Sequence, residues 1–192
     1  KGLASMGSNV VILDLRKEKS LKVAKEIKDT FGVETLGMEL DVTDKEEIKN
    51  TLSSIEAAFG NVDILINGAG SNSPTPFFSI DEEDYNNVMN SQIKGTFLSC
   101  QVFGQHMVKN KKGSIINISS ASAGPPLSKA FIYSVAKAGI KNLTQNLARE
   151  WAKAGIRVNA VRPGFFPTEW NKKNFITKQR EKSILNHTPM GR

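Results

Sequence analysis

Five short runs rich in Val, Ile and Leu alternate with longer stretches of helical period, and this alternation constrains the fold more than any other feature of the chain. The runs fall at residues 9–14, 34–39, 62–67, 114–119 and 157–161, and they read as strands. Helices are expected between them at 18–31, 45–59, 82–110 and 130–154, the first placing Leu21, Ala24 and Ile27 on one face. Strand and helix in strict alternation build βαβ units, whose strands must pair in parallel. Gly32, Gly60, Gly113 and Gly155 stand where the helices should stop, since glycine takes the positive φ that ends a helix at little cost. The expectation is an α/β fold, a doubly wound parallel sheet in one domain. No repeat, low-complexity tract or Pro/Ser-rich linker divides the 192 residues.

Composition removes several function classes. No apolar run approaches the ~18 residues needed to cross a bilayer, and the opening stretch lacks a secretory pattern, so a cytoplasmic protein without a membrane partner is expected. Cys100 is the only cysteine, which rules out a disulfide within the chain and a zinc site built from cysteines; it reads as a small buried hydrophobe. The net charge of +7 is spread over several segments, concentrating only at 109–112 and 172–182, and does not suggest nucleic acid. It equally suits an acidic substrate, a phosphorylated cofactor or a plain solvated face. His106 and His187 have no carboxylate at a telling spacing, so no metal site and no hydrolase triad is expected. Trp151 reads as packing, and Trp170 as an aromatic on the lid side of a site.

The chemistry-bearing residues cluster late in the chain. Tyr133 and Lys137 stand four apart in FIYSVAKAGIKNL and therefore share a helix face. An ammonium near a phenol favours the phenolate by direct attraction, so the pair can exchange a proton with a substrate oxygen. Ser120 ends the run GSIINISS, at the carboxyl edge of a parallel sheet where open α/β folds bind ligands, and its hydroxyl could hold a carbonyl oxygen. Tyr and Lys at this spacing also occur as plain surface pairs, so the surrounding motifs must carry the reading. In VDILINGAG a strand runs into Asn67, Gly68, Ala69 and Gly70, small residues that let the backbone pass close to a flat ring or a ribose. Asp14 ends the run NVVILD, where an acid can accept both ribose hydroxyls and repel a 2′-phosphate. That favours NAD; Arg16, two residues on, is the group able to turn toward a 2′-phosphate, and NADP is the lesser alternative.

With these pieces the chain resembles the short-chain dehydrogenase/reductase family over residues 3–192: ILD at 12–14, DVTD at 41–44, ILINGAG at 64–70, IKGTFL at 93–98, GSIINISS at 113–120, YSVAK at 133–137 and IRVNAVRPGFFPT at 156–168. The resemblance implies a Rossmann fold and hydride transfer between a nicotinamide cofactor and a carbonyl or secondary alcohol. Tyr133 would be the acid/base, Lys137 would assist it and hold the nicotinamide ribose, and Ser120 would orient the substrate. Asp41 and Val42 would flank adenine, Asn67, Gly68, Ala69 and Gly70 would line the cofactor, and Pro163, Gly164 and Thr168 would meet its nicotinamide end.

Three departures accompany the likeness. The family's first strand and glycine-rich phosphate loop find no counterpart, nor does its C-terminal segment, so residues 1–192 are expected to form a partial NAD(P)-binding domain. The second asparagine of the family's NNAG is Gly68. The family's catalytic asparagine corresponds to Gln92, with Asn90 on another helical face. INGAG followed by SNSP, QVFGQHM, PGFF with Asn171, and HTPMGR resemble the D-mannonate oxidoreductase (fructuronate reductase) branch, which implies a sugar-acid substrate. Lys129, Lys172 and Lys173 are candidates for its carboxylate. A gluconate-type polyol, a 3-oxoacyl thioester and a non-catalytic fragment are the alternatives. Phe165, Phe166 and Trp170 read either as a segment closing over substrate or as a hydrophobic edge. The helices carrying Gln101, Phe103 and Met107, and Ile140, Leu143 and Leu147, imply by resemblance a homo-oligomer, dimer or tetramer; burial within the chain is the other reading.

Overall fold

A computed structural model describes residues 1–125, 130–174, 176–186 and 188–190, with only the backbone of Trp170, Asn171 and Asn174. Lys129, His187 and the side chains of Trp170 and Asn171 therefore lie outside the described residues. The strands are β1 (Val10–Asp14), β2 (Thr35–Glu39), β3 (Ile64–Asn67), β4 (Gly113–Ile118) and β5 (Ile156–Val161). The helices are α1 (Lys17–Phe31), α2 (Lys45–Phe59), α3 (Glu82–Met89), α4 (Gly95–Asn110), α5 (Phe131–Trp151), α6 (Glu169–Asn174) and α7 (Lys178–Asn186). All pairing is parallel, in two ladders, β1–β2 and β3–β4–β5, and among the described residues no strand joins them. One core nevertheless spans both. Leu40, Ile48, Leu65, Phe103, Met107, Ile115 and Val158 are buried together, with Val11, Leu13 and Met38 of the first ladder packed against them.

Local chemistry explains most boundaries. Asp44 caps α2 by accepting from the Glu46 and Glu47 N–H groups, and Asp81 caps α3 by accepting from Asp84 N–H. Gly32, Gly60 and Gly155 take positive φ at helix ends as expected, but Gly113 opens β4, and Lys111 supplies the left-handed residue after α4 at φ 53°. Trp151 packs as expected, its indole lying against Gly104 between α4 and α5.

Three expectations need correction. Ser20 is the fully buried residue at the start of α1, whereas Leu21 is 47% exposed. The cause is Gly37 in β2: a Cβ there would sit 2.7 Å from the backbone of Ser20 and Leu21, so helix and strand touch directly. Gly37→Ala has no flexible neighbour to displace and is expected to lower stability by about 2 kcal/mol or more, read as a lower urea midpoint at unchanged m-value. The helix expected over 82–110 is interrupted by a π-helical turn at Asn90–Lys94, where Gly95 N–H reaches Asn90 O. One extra residue in a turn leaves the apolar period nearly intact, so the pattern hides it. His106 does have a carboxylate partner in space: Nδ1 lies 2.9 Å from Glu56 Oε1 and Nε2 2.7 Å from Asn61 Oδ1, tying α4 to α2 and to the entry of β3.

No helix among the described residues is long and apolar enough to cross a membrane. No group of three or more His, Cys, Asp or Glu among them is placed to hold a metal ion. Phe103, Met107 and Ile140 are buried within the chain itself, which leaves Phe97 on α4 and Phe131 and Val135 on α5 as the large apolar residues exposed on these helices among the described residues.

Candidate active site

Helix α5 buries Ile132, Ala136 and Ile140 along one stripe, and this orients Tyr133 and Lys137 toward the end of β4. Lys137 is 4% exposed; its Nζ donates to Ile118 O at 2.5 Å and lies 5.4 Å from the centre of the Tyr133 ring. Ser119 Oγ donates to Lys137 O at 2.8 Å, so the strand end and the helix are laced at both backbone and side chain. Burial pulls the Lys137 ammonium down from 10.5 to about 8, because desolvation disfavours its charge. An ammonium has three N–H groups, and Ile118 takes one.

Ser120 leaves β4 extended and accepts at Oγ from Ser122 N–H at 3.2 Å and from Ser122 Oγ–H at 3.1 Å. With two donors on its oxygen, its own proton is left to point outward, the polarity needed to hold a substrate oxygen. Arg162 braces this turn by donating from Nε to Ser120 O and from Nη2 to Ala121 O, both at 3.1 Å. Ala121 N–H donates to Pro163 O at 3.0 Å, fixing the segment after β5 against the segment after β4. Ser122 and Arg162 escaped the sequence reading, although Ser-x-Ser after a strand is a signal for such a local turn.

Pairing of β3 with β4 sets Asn67 opposite Asn117, so Gly68 comes beside Ile118 on the same edge. A Cβ at Gly68 would meet only Ile118 Cγ1, at 3.7 Å, while Ala69 and Gly70 are exposed. The Asn67 side chain turns inward. Its amide donates to Asn117 Oδ1 at 2.9 Å and to Cys100 Sγ at 3.3 Å, and the fully buried Asn117 donates to Thr144 Oγ1 at 2.9 Å. Burial pushes the Cys100 thiol up to about 11, against the opposing hydrogen bonds it makes with Asn117 Oδ1 as acceptor and Asn67 Nδ2 as donor. Cys100 is thus buried, and it also belongs to a polar chain running from β3 through α4 and β4 to α5.

Asp14 and Asp41 stand at the ends of β1 and β2. Burial pushes the Asp14 carboxyl up, but the backbone N–H and guanidinium of Arg16 and the charge of Lys19 outweigh it and hold the group below the ordinary value. Arg16 Nε lies 3.3 Å from Asp14 Oδ1, so the guanidinium is turned onto the acid. A cleft of ≈ 550 Å³ opens beside them, lined by Leu15, Met38, Glu39, Asp41 and Thr51 among others. Asp41 Oδ1 accepts from Thr43 N–H at 2.8 Å, and the Val42 side chain lies on Gly95 at the start of α4. Pro163 is partly buried, whereas Gly164 and Thr168 are exposed. Lys172 is paired with Glu169 at 3.0 Å.

The structure thus gathers Ser120, Tyr133, Lys137 and Gly68 at the carboxyl edge of β3–β4–β5, with Asp14 and Asp41 at the matching edge of the other ladder. Asn90 is exposed, whereas Gln92 is buried against Gly70.

The short chain dehydrogenase family profile matches residues 1–179. An uncharacterized oxidoreductase UxuB of Bacillus subtilis is 38% identical over 210 residues, covering 99% of this chain and 75% of that protein. The gluconate 5-dehydrogenase of Gluconobacter oxydans is 30% identical over 192 residues, covering 100% of this chain and 75% of its own length. Among solved structures, a gluconate 5-dehydrogenase from Burkholderia cenocepacia in complex with NADP and tartrate superposes with a TM-score of 0.93 at 29% identity, covering 100% of this chain and 74% of that one. The family match over most of the chain, the similar relatives and the shared Rossmann-like architecture lead to one conclusion: the chain belongs to the short chain dehydrogenase family of oxidoreductases.

Proposed function

We propose that this chain transfers a hydride between NAD and the carbonyl or secondary alcohol of a sugar acid, D-fructuronate and D-mannonate being the first pair to test, as a cytoplasmic homo-oligomer. The observation that carries the reading is the convergence of Tyr133, Lys137 and an outward-donating Ser120 where β4 ends. The residues fit a nicotinamide cofactor. Lys137 has N–H groups beyond the one given to Ile118, Gly68 leaves open space, and Asp14 offers carboxylate oxygens at the end of β1. When bound, the nicotinamide supplies or accepts the hydride.

In the reducing direction Ser120 would donate a hydrogen bond to the substrate carbonyl oxygen, holding it beside the Tyr133 hydroxyl. Tyr133 would give that oxygen a proton as the carbonyl carbon is reduced, and Lys137 would stabilise the phenolate left behind. In oxidation the same groups act in reverse. Asp14 supports NAD over NADP, because its carboxylate would face a 2′-phosphate and Arg16 is already engaged with it. Support for a sugar acid comes from the gluconate 5-dehydrogenase relatives, one of them holding tartrate, a hydroxy acid, and from the chain's net charge of +7. For the oligomer, Phe97 on α4 and Phe131 and Val135 on α5 are exposed apolar residues able to meet a second copy.

The test is loss of NADH and of NADPH absorbance by the purified full chain with D-fructuronate, 5-ketogluconate, a 3-oxoacyl thioester and simple ketones. Turnover is expected with NADH and a keto sugar acid. Turnover confined to the thioester would overturn the substrate class, and preference for NADPH would overturn the role given to Asp14.

A further inference from the structure

We propose that Gln92 is a positioning residue, a clamp that fixes Gly70 and Ser71 after β3 and thereby preorganises the turn lining the cofactor. The cofactor part rests on the reading of Asn67, Gly68, Ala69 and Gly70 given above. Gln92 sits in the π-helical turn and is 2% exposed. Its Nε2 donates to Ser71 O at 2.7 Å. The neighbouring Ser91 Oγ accepts from Ser71 N–H at 3.1 Å and lies 2.8 Å from Ser71 Oγ. Both backbone polar groups of Ser71 are therefore taken by two successive side chains. Adjacent residues of a regular helix do not face a common partner, and the π-turn brings this pair onto one residue.

Gly70 is held by contact as well. It has φ +151°, and a Cβ on it would lie 2.3 Å from Gln92 Cδ and 2.4 Å from both Nε2 and Oε1. The amide thus rests directly on the Gly70 backbone, with no room for a side chain between them. Gln92 Oε1 is buried and has no hydrogen-bond partner among the described residues. The donor and the shape of the amide are both spent on the turn. The length of the side chain matters for the same reason. Asparagine, which the family resemblance places at this position, is one methylene shorter and would not span to Ser71 O while covering Gly70.

The test uses the full chain with Gln92→Asn, Gln92→Leu and, leaving Gln92 intact, Ser91→Ala. Amide hydrogen exchange of the peptide covering residues 68–73 is expected to rise about tenfold in all three, the loss of one hydrogen bond's worth of local protection. Affinity for NADH, read by its fluorescence, is expected to fall about tenfold as the turn must order on binding, with the pH profile of kcat unchanged. Unchanged exchange in the Leu and Ala variants would overturn the clamp. A shifted pH limb of kcat at unchanged NADH affinity would also overturn it, and would make Gln92 part of the proton path. A fall in melting temperature with neither exchange nor affinity altered would reduce Gln92 to a packing residue. If the unaltered chain binds no nicotinamide cofactor, the proposed function fails, while the exchange measurement still decides whether Gln92 holds the turn.

Discussion

Replacing Tyr133 by phenylalanine is expected to cut turnover about 10²–10⁴-fold, the range that one positioned acid/base supplies. The substitution is clean because the ring stays. The two flanking residues of the buried stripe, Ile132 and Ala136, keep the helix face in place, and the Lys137 ammonium retains its 5.4 Å approach to the aromatic face. Only the O–H is lost, so affinity for the cofactor should change by no more than about twofold, and the loss should fall on kcat. Ser120 would still hold the substrate oxygen, because its acceptors are satisfied by Ser122 and not by Tyr133. What disappears is the proton that the alkoxide needs. Single-turnover oxidation of bound NADH separates this loss from slow product release. A Tyr133→Phe chain that kept more than roughly a tenth of its hydride-transfer rate would place the acid/base elsewhere, since even the weakest general acids contribute more than that.

The parts of this site that are legible in the sequence share one property: their meaning is local. Tyr133 and Lys137 are related by a single helical turn, and Ser120 by its place after a strand. The parallel ladders also followed from local alternation of period. Features that depend on several elements at once were hidden. Asn67, Cys100, Asn117 and Thr144 form their chain from β3, α4, β4 and α5, and nothing in any one segment announces the partner supplied by the next. His106 meets Glu56 from 50 residues away for the same reason. Gly37 carries no local sign of its role, which is to admit the backbone of α1. The π-turn was invisible for a different cause. Helix α3 and helix α4 each keep the apolar period, and the single added residue between them changes only where Ser91 and Gln92 point. That one residue decides which amide reaches the turn after β3.

Lys137→Met is expected to remove turnover and yet leave the folded chain close to its original stability at about pH 7, within about 2 kcal/mol. The native ammonium titrates at about 8 because it is buried, against 10.5 for an ordinary lysine. Below about pH 8 both folded and unfolded chains carry the proton, and the fold bears the whole cost of the desolvated charge. As pH rises from about 8 to about 10.5, the native group has released its proton while the unfolded one still holds it. The native state binds fewer protons, so its stability increases through that window, by up to about 3 kcal/mol for a shift of this size. Methionine removes this charge but leaves Ile118 O without its donor, at a cost of about 1–3 kcal/mol, and the two effects nearly cancel near neutrality. Urea melts of both chains across the window isolate the group, because every other lysine and tyrosine is common to the two and drops out of the difference. The original chain should gain on the variant as pH rises; a constant difference would mean that the ammonium is not desolvated. The stability forgone at neutral pH has a use in the proposed chemistry. Water would screen the charge of a fully hydrated lysine, whereas one buried beside the Tyr133 ring would present its charge through a low-dielectric medium to the oxygen that must become an anion.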